Sequence, residues 1–254
     1  MQMETKIITL TGLVIREYPV GENDKFIHIL TKERGVIEVS VRGGRKMISK
    51  NAGGSQLFAY SHFSIRCSSD KYYLDSSQNI RSFYGISSDL ESLAIAQYIG
   101  EVVSYASGHN EQKEDVMRLI LNVFHFLETG ERDKKLLKAI FELRFISEIG
   151  MMPDIVCCSN CMSYTASEMC FDILSTKLYC TKCYSGTYDN VNTVIIRASV
   201  VHAMRHIVLA DFDRLFNFRL AEGNAKRLYQ LAENYLVTHL GRNFKTLEFY
   251  KSIS

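Results

Sequence analysis

Four cysteines, Cys158, Cys161, Cys180 and Cys183, stand in the spacing C-x2-C-x18-C-x2-C, and no other feature restricts the fold of this chain so tightly. Two residues between cysteines let one tight turn present both thiolates to a single ion. Zinc takes four such donors in a tetrahedron, with Zn–S about 2.3 Å. The 18 intervening residues return the second turn to the first, and residues 169–173 and 177–179 predict the short hairpin that does so. The spacing lies within the range used by zinc sites. Four thiolates close the coordination shell, so the predicted Zn2+ is structural, without the open position that catalysis requires. Redox pairs or free thiols are the competing use of these residues. Cys157 and Cys170 are close neighbours in sequence; Cys157 offers a C-x3-C alternative to Cys158.

A disulfide framework belongs to exported chains. The opening MQMETKIITL mixes charged with apolar residues and has no continuous hydrophobic segment, so a cytoplasmic protein with metal-binding cysteines is expected. No apolar run reaches bilayer-spanning length, and no membrane partner is expected. With 254 residues, 46% hydrophobic and 23% charged, the chain can bury a core of one large or two to three small domains. The net charge of +2 is unevenly spread. Residues 1–80 hold 11 Lys and Arg against 8 Asp and Glu, residues 81–196 hold 10 against 15, and residues 197–254 hold 9 against 5. Basic ends suit nucleic acid, although a solvated surface of mixed charge has the same composition.

Up to about residue 80 the pattern is that of strands. Residues 6–16, 25–31, 35–42, 56–66 and 71–74 are rich in β-branched and aromatic residues, and residues 35–42 alternate cleanly. Five short strands predict a small barrel, of the oligonucleotide-binding type or another kind such as an SH3-like one. After residue 82 the period becomes helical. Ser88-Asp89-Leu90-Glu91 reads as a capping box ahead of a helix that Gly108 ends, and further helices are predicted over 111–128, 133–149, 197–209 and 221–240. The domains expected are thus 1–80 and 81–254, the second helical and carrying a zinc-binding insertion at about 154–190. The fold class is α+β and multidomain.

Arg42-Gly43-Gly44-Arg45-Lys46, with Lys50 nearby, forms a basic glycine loop after a strand. Glycines let backbone approach phosphates and the cations attract them; the alternative is a solvated connection. Arg16, Lys25 and Arg66 are further candidates for phosphate contact. Phe26, Phe58, Tyr60, Phe63, Tyr72 and Tyr73 can stack on bases or fill the barrel. His202 and His206 are one helical turn apart with no acidic ligand beside them, and read as ordinary helix residues. The chain has neither the Walker A nor the GxGxxG pattern. Arg197 and Arg205, beside Val201, Met204, Ile207 and Val208, offer a cationic lip on an apolar slot, or simply core residues with solvated arginines.

The order of several segments resembles the RecO family of bacterial recombination mediators. These are Leu13-Val14-Ile15-Arg16, Gly21-Glu22-Asn23-Asp24-Lys25, Thr31-Lys32-Glu33-Arg34-Gly35, Val41 to Lys46, Phe141-Glu142-Leu143-Arg144 with Gly150-Met151-Met152-Pro153 ahead of the cysteines, and Leu240 to Leu247. Val41 and Gly44 replace two alanines of the family's basic segment. The resemblance implies an N-terminal oligonucleotide-binding barrel, a helical domain and a zinc module, with no enzymatic activity. It implies binding of single- and double-stranded DNA and annealing of complementary strands. The implied partners are RecR and the acidic C-terminal tail of the single-strand-binding protein, and the implied role is loading of RecA onto coated strands in DNA repair and recombination. The tail is expected on the helical region, at Arg197 and Arg205. The alternative reading is a zinc-ribbon regulator or adaptor that works through protein contacts.

Overall fold

The computed structural model describes residues 6–46, 51–68, 71–107, 114–186 and 192–254. Its contacts gather into two compact units, residues 1–129 with 244–254 and residues 130–243. In the first, strands β1 (Lys6–Val20), β2 (Asp24–Thr31), β3 (Gly35–Val41), β4 (Ala59–Ser68) and β5 (Lys71–Ser82) close into a barrel in the order β1-β2-β3-β5-β4. β4 returns to pair with β1, and β3 and β5 run parallel, with Ser40 opposite Tyr73. The alternation seen in the sequence sets the faces. Leu10, Val14, Ile27, Ile29, Ile37, Val39, Val41, Phe63, Ile65 and Leu74 fill the interior. Each such side chain contributes about 1.5–3 kcal/mol on burial.

Three strands differ from expectation. β1 runs past Arg16 to Val20, its extension paired with β2. β4 begins at Ala59 because Phe58 takes a left-handed backbone (φ 63°). The Phe58 N–H donates to the Val14 carbonyl at 2.9 Å, beside the register slip of β1 between Val14 and Arg16. Its ring lies edge-on to Phe124 at 5.1 Å. β5 continues to Ser82 through residues that are mostly exposed and polar, so no alternation announces it.

Among the described residues the helices are α1 (Leu90–Ala106), α2 (Glu114–Thr129), α3 (Lys134–Glu148), α4 (Ala198–Leu209), α5 (Phe212–Leu215), α6 (Glu222–Leu240) and α7 (Lys245–Ile253). The predicted capping box is displaced by one residue. Asp89 is the N-cap and its carboxylate accepts from the Ser92 N–H at 2.7 Å, while the Ser88 hydroxyl donates back to the Gly85 carbonyl. α1 packs on β1, with Gly100 at the crossing, where an added Cβ would stand 2.2 Å from the Ile15 carbonyl oxygen. α7 docks on α1. Glu101 accepts from the Thr246 N–H and hydroxyl at 3.1 and 2.6 Å, and Phe244 lies edge-on to Tyr98 and Tyr105. These contacts group α1, α2 and α7 with the barrel, where the sequence predicts a single helical domain over 81–254.

The second unit packs α3, α4 and α6 together and carries a three-stranded antiparallel sheet in the order β7-β6-β8. Its strands are β6 (Glu168–Asp172), β7 (Lys177–Cys180) and β8 (Thr193–Arg197). β6 and β7 are the predicted hairpin; β8 is additional. Inside the unit, Lys138 Nζ donates to Glu142 at 2.6 Å and Glu233 at 2.8 Å, with Glu142 fully buried. Burial opposes the charge on Lys138, yet the two carboxylates outweigh it and raise the ammonium above its ordinary pKa. Among the described residues no helix is long and apolar enough to cross a membrane.

Candidate metal centre and candidate nucleic-acid interface

Two backbone turns build the metal centre. In the first, the Met162 N–H donates to the Cys158 carbonyl at 2.9 Å, and Met162 closes the turn with φ 61°. In the second, the N–H groups of Cys183 and Tyr184 donate to the Cys180 carbonyl at 3.0 and 3.1 Å. The turns are tied together where the Ser159 N–H donates to Leu178 and the Asn160 amide donates to the Cys183 carbonyl. The Sγ atoms of Cys158, Cys161, Cys180 and Cys183 all lie within 4.8 Å of one another, and those of Cys161 and Cys180 are 3.7 Å apart. Thiolates at about 2.3 Å from a tetrahedral centre stand about 3.8 Å from each other. The donor set therefore fits a tetrahedral ion.

The thiols share charge unevenly. Burial works against the Cys158 thiolate, but the backbone N–H groups of Cys161, Cys180 and Asn160 outweigh it and bring the thiol down to about 6. A hydrogen bond from Cys183 lowers Cys180, and bonding to Cys180 and Cys161 pushes Cys183 up to about 12. A cation at the centre would relieve this conflict, because it favours every thiolate at once. Cys157 stands outside the group, its Sγ 3.7 Å from the Met162 sulfur. Cys170 is buried on β6, opposite Tyr179. The geometry thus selects Cys158 and not Cys157.

The predicted peptide lip is corrected by the structure. Arg205 is only 5% exposed. Its Nε donates to the Ile155 carbonyl at 2.7 Å, its Nη2 to the Tyr164 carbonyl at 2.8 Å, and its guanidinium lies 4.1 Å from the centre of the Tyr164 ring. It ties the cysteine segment to α4 and is not displayed to a ligand. Val201, Met204, Ile207 and Val208 are buried core residues. Arg197 is exposed at the start of α4, two turns away from Arg205.

The barrel's cations separate into different environments. Lys25 is buried and paired with Glu17 at 2.7 Å, which removes it from the candidates for phosphate contact. Arg45 is exposed but donates to the carbonyls of Gly21 and Glu22 at 3.1 and 3.2 Å. Arg16 is half-buried beside the bulge in β1. Lys46 is exposed, and Lys50 lies outside the described residues. Arg42 and Arg66 are exposed and, with Ser68 and Tyr73, line an open depression of about 240 Å³. Sequence reasoning assigned nothing to Ser68 or Tyr164 and left the outward direction of Tyr73 open. The signal for Tyr73 is its position between the inward Tyr72 and Leu74.

Residues 3–83 match the family model described as Recombination protein O N terminal, and residues 87–248 match that described as Recombination protein O C terminal. Similar proteins are each named DNA repair protein RecO. That of Acetivibrio thermocellus is 29% identical over 243 residues, covering 96% of both chains. That of Caldicellulosiruptor bescii is 26% identical over 248 residues, covering 98% of this chain and 99% of the relative. That of Bacillus subtilis is 26% identical over 238 residues, covering 94% and 91%.

Proposed function

The chain belongs to the RecO family, with a role in DNA repair, and on that premise we propose that it is a non-enzymatic recombination mediator. It binds DNA through an N-terminal oligonucleotide-binding barrel, anneals complementary single strands, and with RecR helps load RecA onto strands coated by single-strand-binding protein. The reading places its work in the cytoplasm. The observation that carries it is the closed five-stranded barrel with exposed Arg42, Lys46 and Arg66 on its surface. Cations on a barrel neutralise phosphates without reading bases, and sequence-independent affinity is what an annealing factor requires. Cys158, Cys161, Cys180 and Cys183 hold one Zn2+, which ties the two turns together and contributes to folding of the second unit. The partner-binding residues for the acidic tail are to be sought away from Arg205, whose guanidinium is occupied inside the fold.

The adaptor reading draws on a different observation. Met152, Val156, Met162 and Tyr164 around the first cysteine turn are all at least half exposed, and exposed apolar residues favour protein contact. An annealing assay separates the two. A mediator accelerates pairing of complementary strands, both bare and coated with single-strand-binding protein. An adaptor whose barrel is only a scaffold leaves the pairing rate unchanged.

A further inference from the structure

We propose that Tyr73, Arg42, Arg66 and Ser68 form a subsite for one unpaired nucleotide, which makes this end of the barrel selective for single strands. The inference rests on the DNA-binding reading and assigns to it a site and a preference. Tyr72 packs on the barrel core and Leu74 lies within it, so Tyr73 between them projects outward. On β4 the same alternation turns Arg66 outward, between the interior Ile65 and the core-packed Cys67. Arg66 and Tyr73 are direct cross-strand partners, and Ser68 lies two residues beyond Arg66. Arg42 reaches the same place from the end of β3, whose Ser40 is paired with Tyr73.

The spacing has a consequence for bases. The Arg42 guanidinium lies over the Tyr73 ring, 5.7 Å from its centre. A base held between the two planes needs twice the stacking distance of about 3.4 Å, or about 6.8 Å. Arg42 therefore has to withdraw by about 1 Å. It is exposed, follows the strand on a turn, and has no ion pair among the described residues, so nothing opposes that movement. Both faces of the base would then be covered, one by the aromatic ring and one by the guanidinium. Arg66 and the Ser68 hydroxyl, on the rim of the same depression, are placed to donate to the flanking phosphates. A duplex offers the phosphates but keeps its bases paired and stacked, so it engages the arginines and not the ring.

The test is fluorescence anisotropy of the full-length protein with a labelled oligothymidylate, an abasic strand and a duplex of equal length. Tyr73→Ala should weaken oligothymidylate binding about fivefold or more, leaving the duplex and the abasic strand unchanged. Tyr73→Phe should bind as the parent does. Tyr73→Leu keeps outward bulk without a stacking face and should match the alanine variant, which covers the case in which alanine disturbs the barrel. Changing both Arg42 and Arg66 to Ala should weaken all three ligands and reduce the single-strand salt slope by about 0.7, the share of the phosphate contact at Arg66. Equal oligothymidylate binding by parent, Tyr73→Ala and Tyr73→Leu would overturn the subsite while leaving DNA binding intact. Absence of binding to every ligand by the parent protein at low salt would instead refute the reading beneath it.

Discussion

Gly100→Ala ought to stabilise an ordinary helix, because alanine inside a helix is about 1 kcal/mol better than glycine. Here the sign reverses. The new Cβ would meet the Ile15 carbonyl oxygen at 2.2 Å, the Ile15 carbonyl carbon at 3.2 Å and the Arg16 side chain at 3.4 Å. The first atom is strand backbone, which cannot rotate away as a flexible side chain does, so α1 must lift from β1 by more than an ångström. Overpacking of this kind costs about 1–3 kcal/mol. With the upper end apt for a backbone clash, the net loss is about 2 kcal/mol. At about 2–4 °C per kcal/mol, the melting temperature of the barrel-containing unit should fall by about 4–8 °C in a calorimetric scan. Gly223→Ala in the first turn of α6, where a Cβ meets nothing within 4 Å, serves as the control and should leave the melt unchanged or raise it. If Gly100→Ala raised the melting temperature as the control does, the close crossing of α1 over β1 would be wrong.

The cysteine site should bind one zinc per chain. Cys180→Ser should lose it and destabilise the second unit, whereas Cys157→Ser should retain one full equivalent by elemental analysis. Lys138→Met removes the cation from between Glu142 and Glu233 and should cost about 3–5 kcal/mol in a denaturant titration. Arg205→Ala gives up two charge-assisted hydrogen bonds to carbonyls and should cost about 3 kcal/mol. Oligonucleotide affinity measured under native conditions should not change in that variant.

The elements read most readily from the sequence were those whose cause is local. The interior of β2 and β3 follows from alternation, and the extents of α1, α3, α4 and α6 follow from helical periodicity, each within a residue or two. The cysteine group was legible because four ligand positions at fixed spacing admit few geometries. What escaped depends on distant partners. α7 has no capping side chain at Phe244, and the group that accepts from the Thr246 N–H is Glu101, on another helix. β8 is a five-residue strand whose apolar run is only residues 194–196, directly ahead of a helix, and its strand state comes from pairing with β6. Charge alone could not separate Lys25 from Arg42. One is buried against Glu17 and the other lies over Tyr73, and only the closed barrel decides which. Arg205 misled for the same reason, since its carbonyl partners lie 50 and 41 residues away.

Binding of DNA by the barrel through phosphate neutralisation is read from the salt dependence of oligothymidylate binding to the full-length protein. Arg42, Lys46 and Arg66 are exposed on the barrel, and each phosphate contact on a single strand contributes about 0.7 to the slope of log K against log salt. A slope of about −1.4 or steeper is expected, from Lys46 and Arg66 at least, reduced toward zero when the three are changed together to alanine. A slope near zero for the parent protein, or one that the triple variant leaves unchanged, would contradict phosphate neutralisation by the barrel.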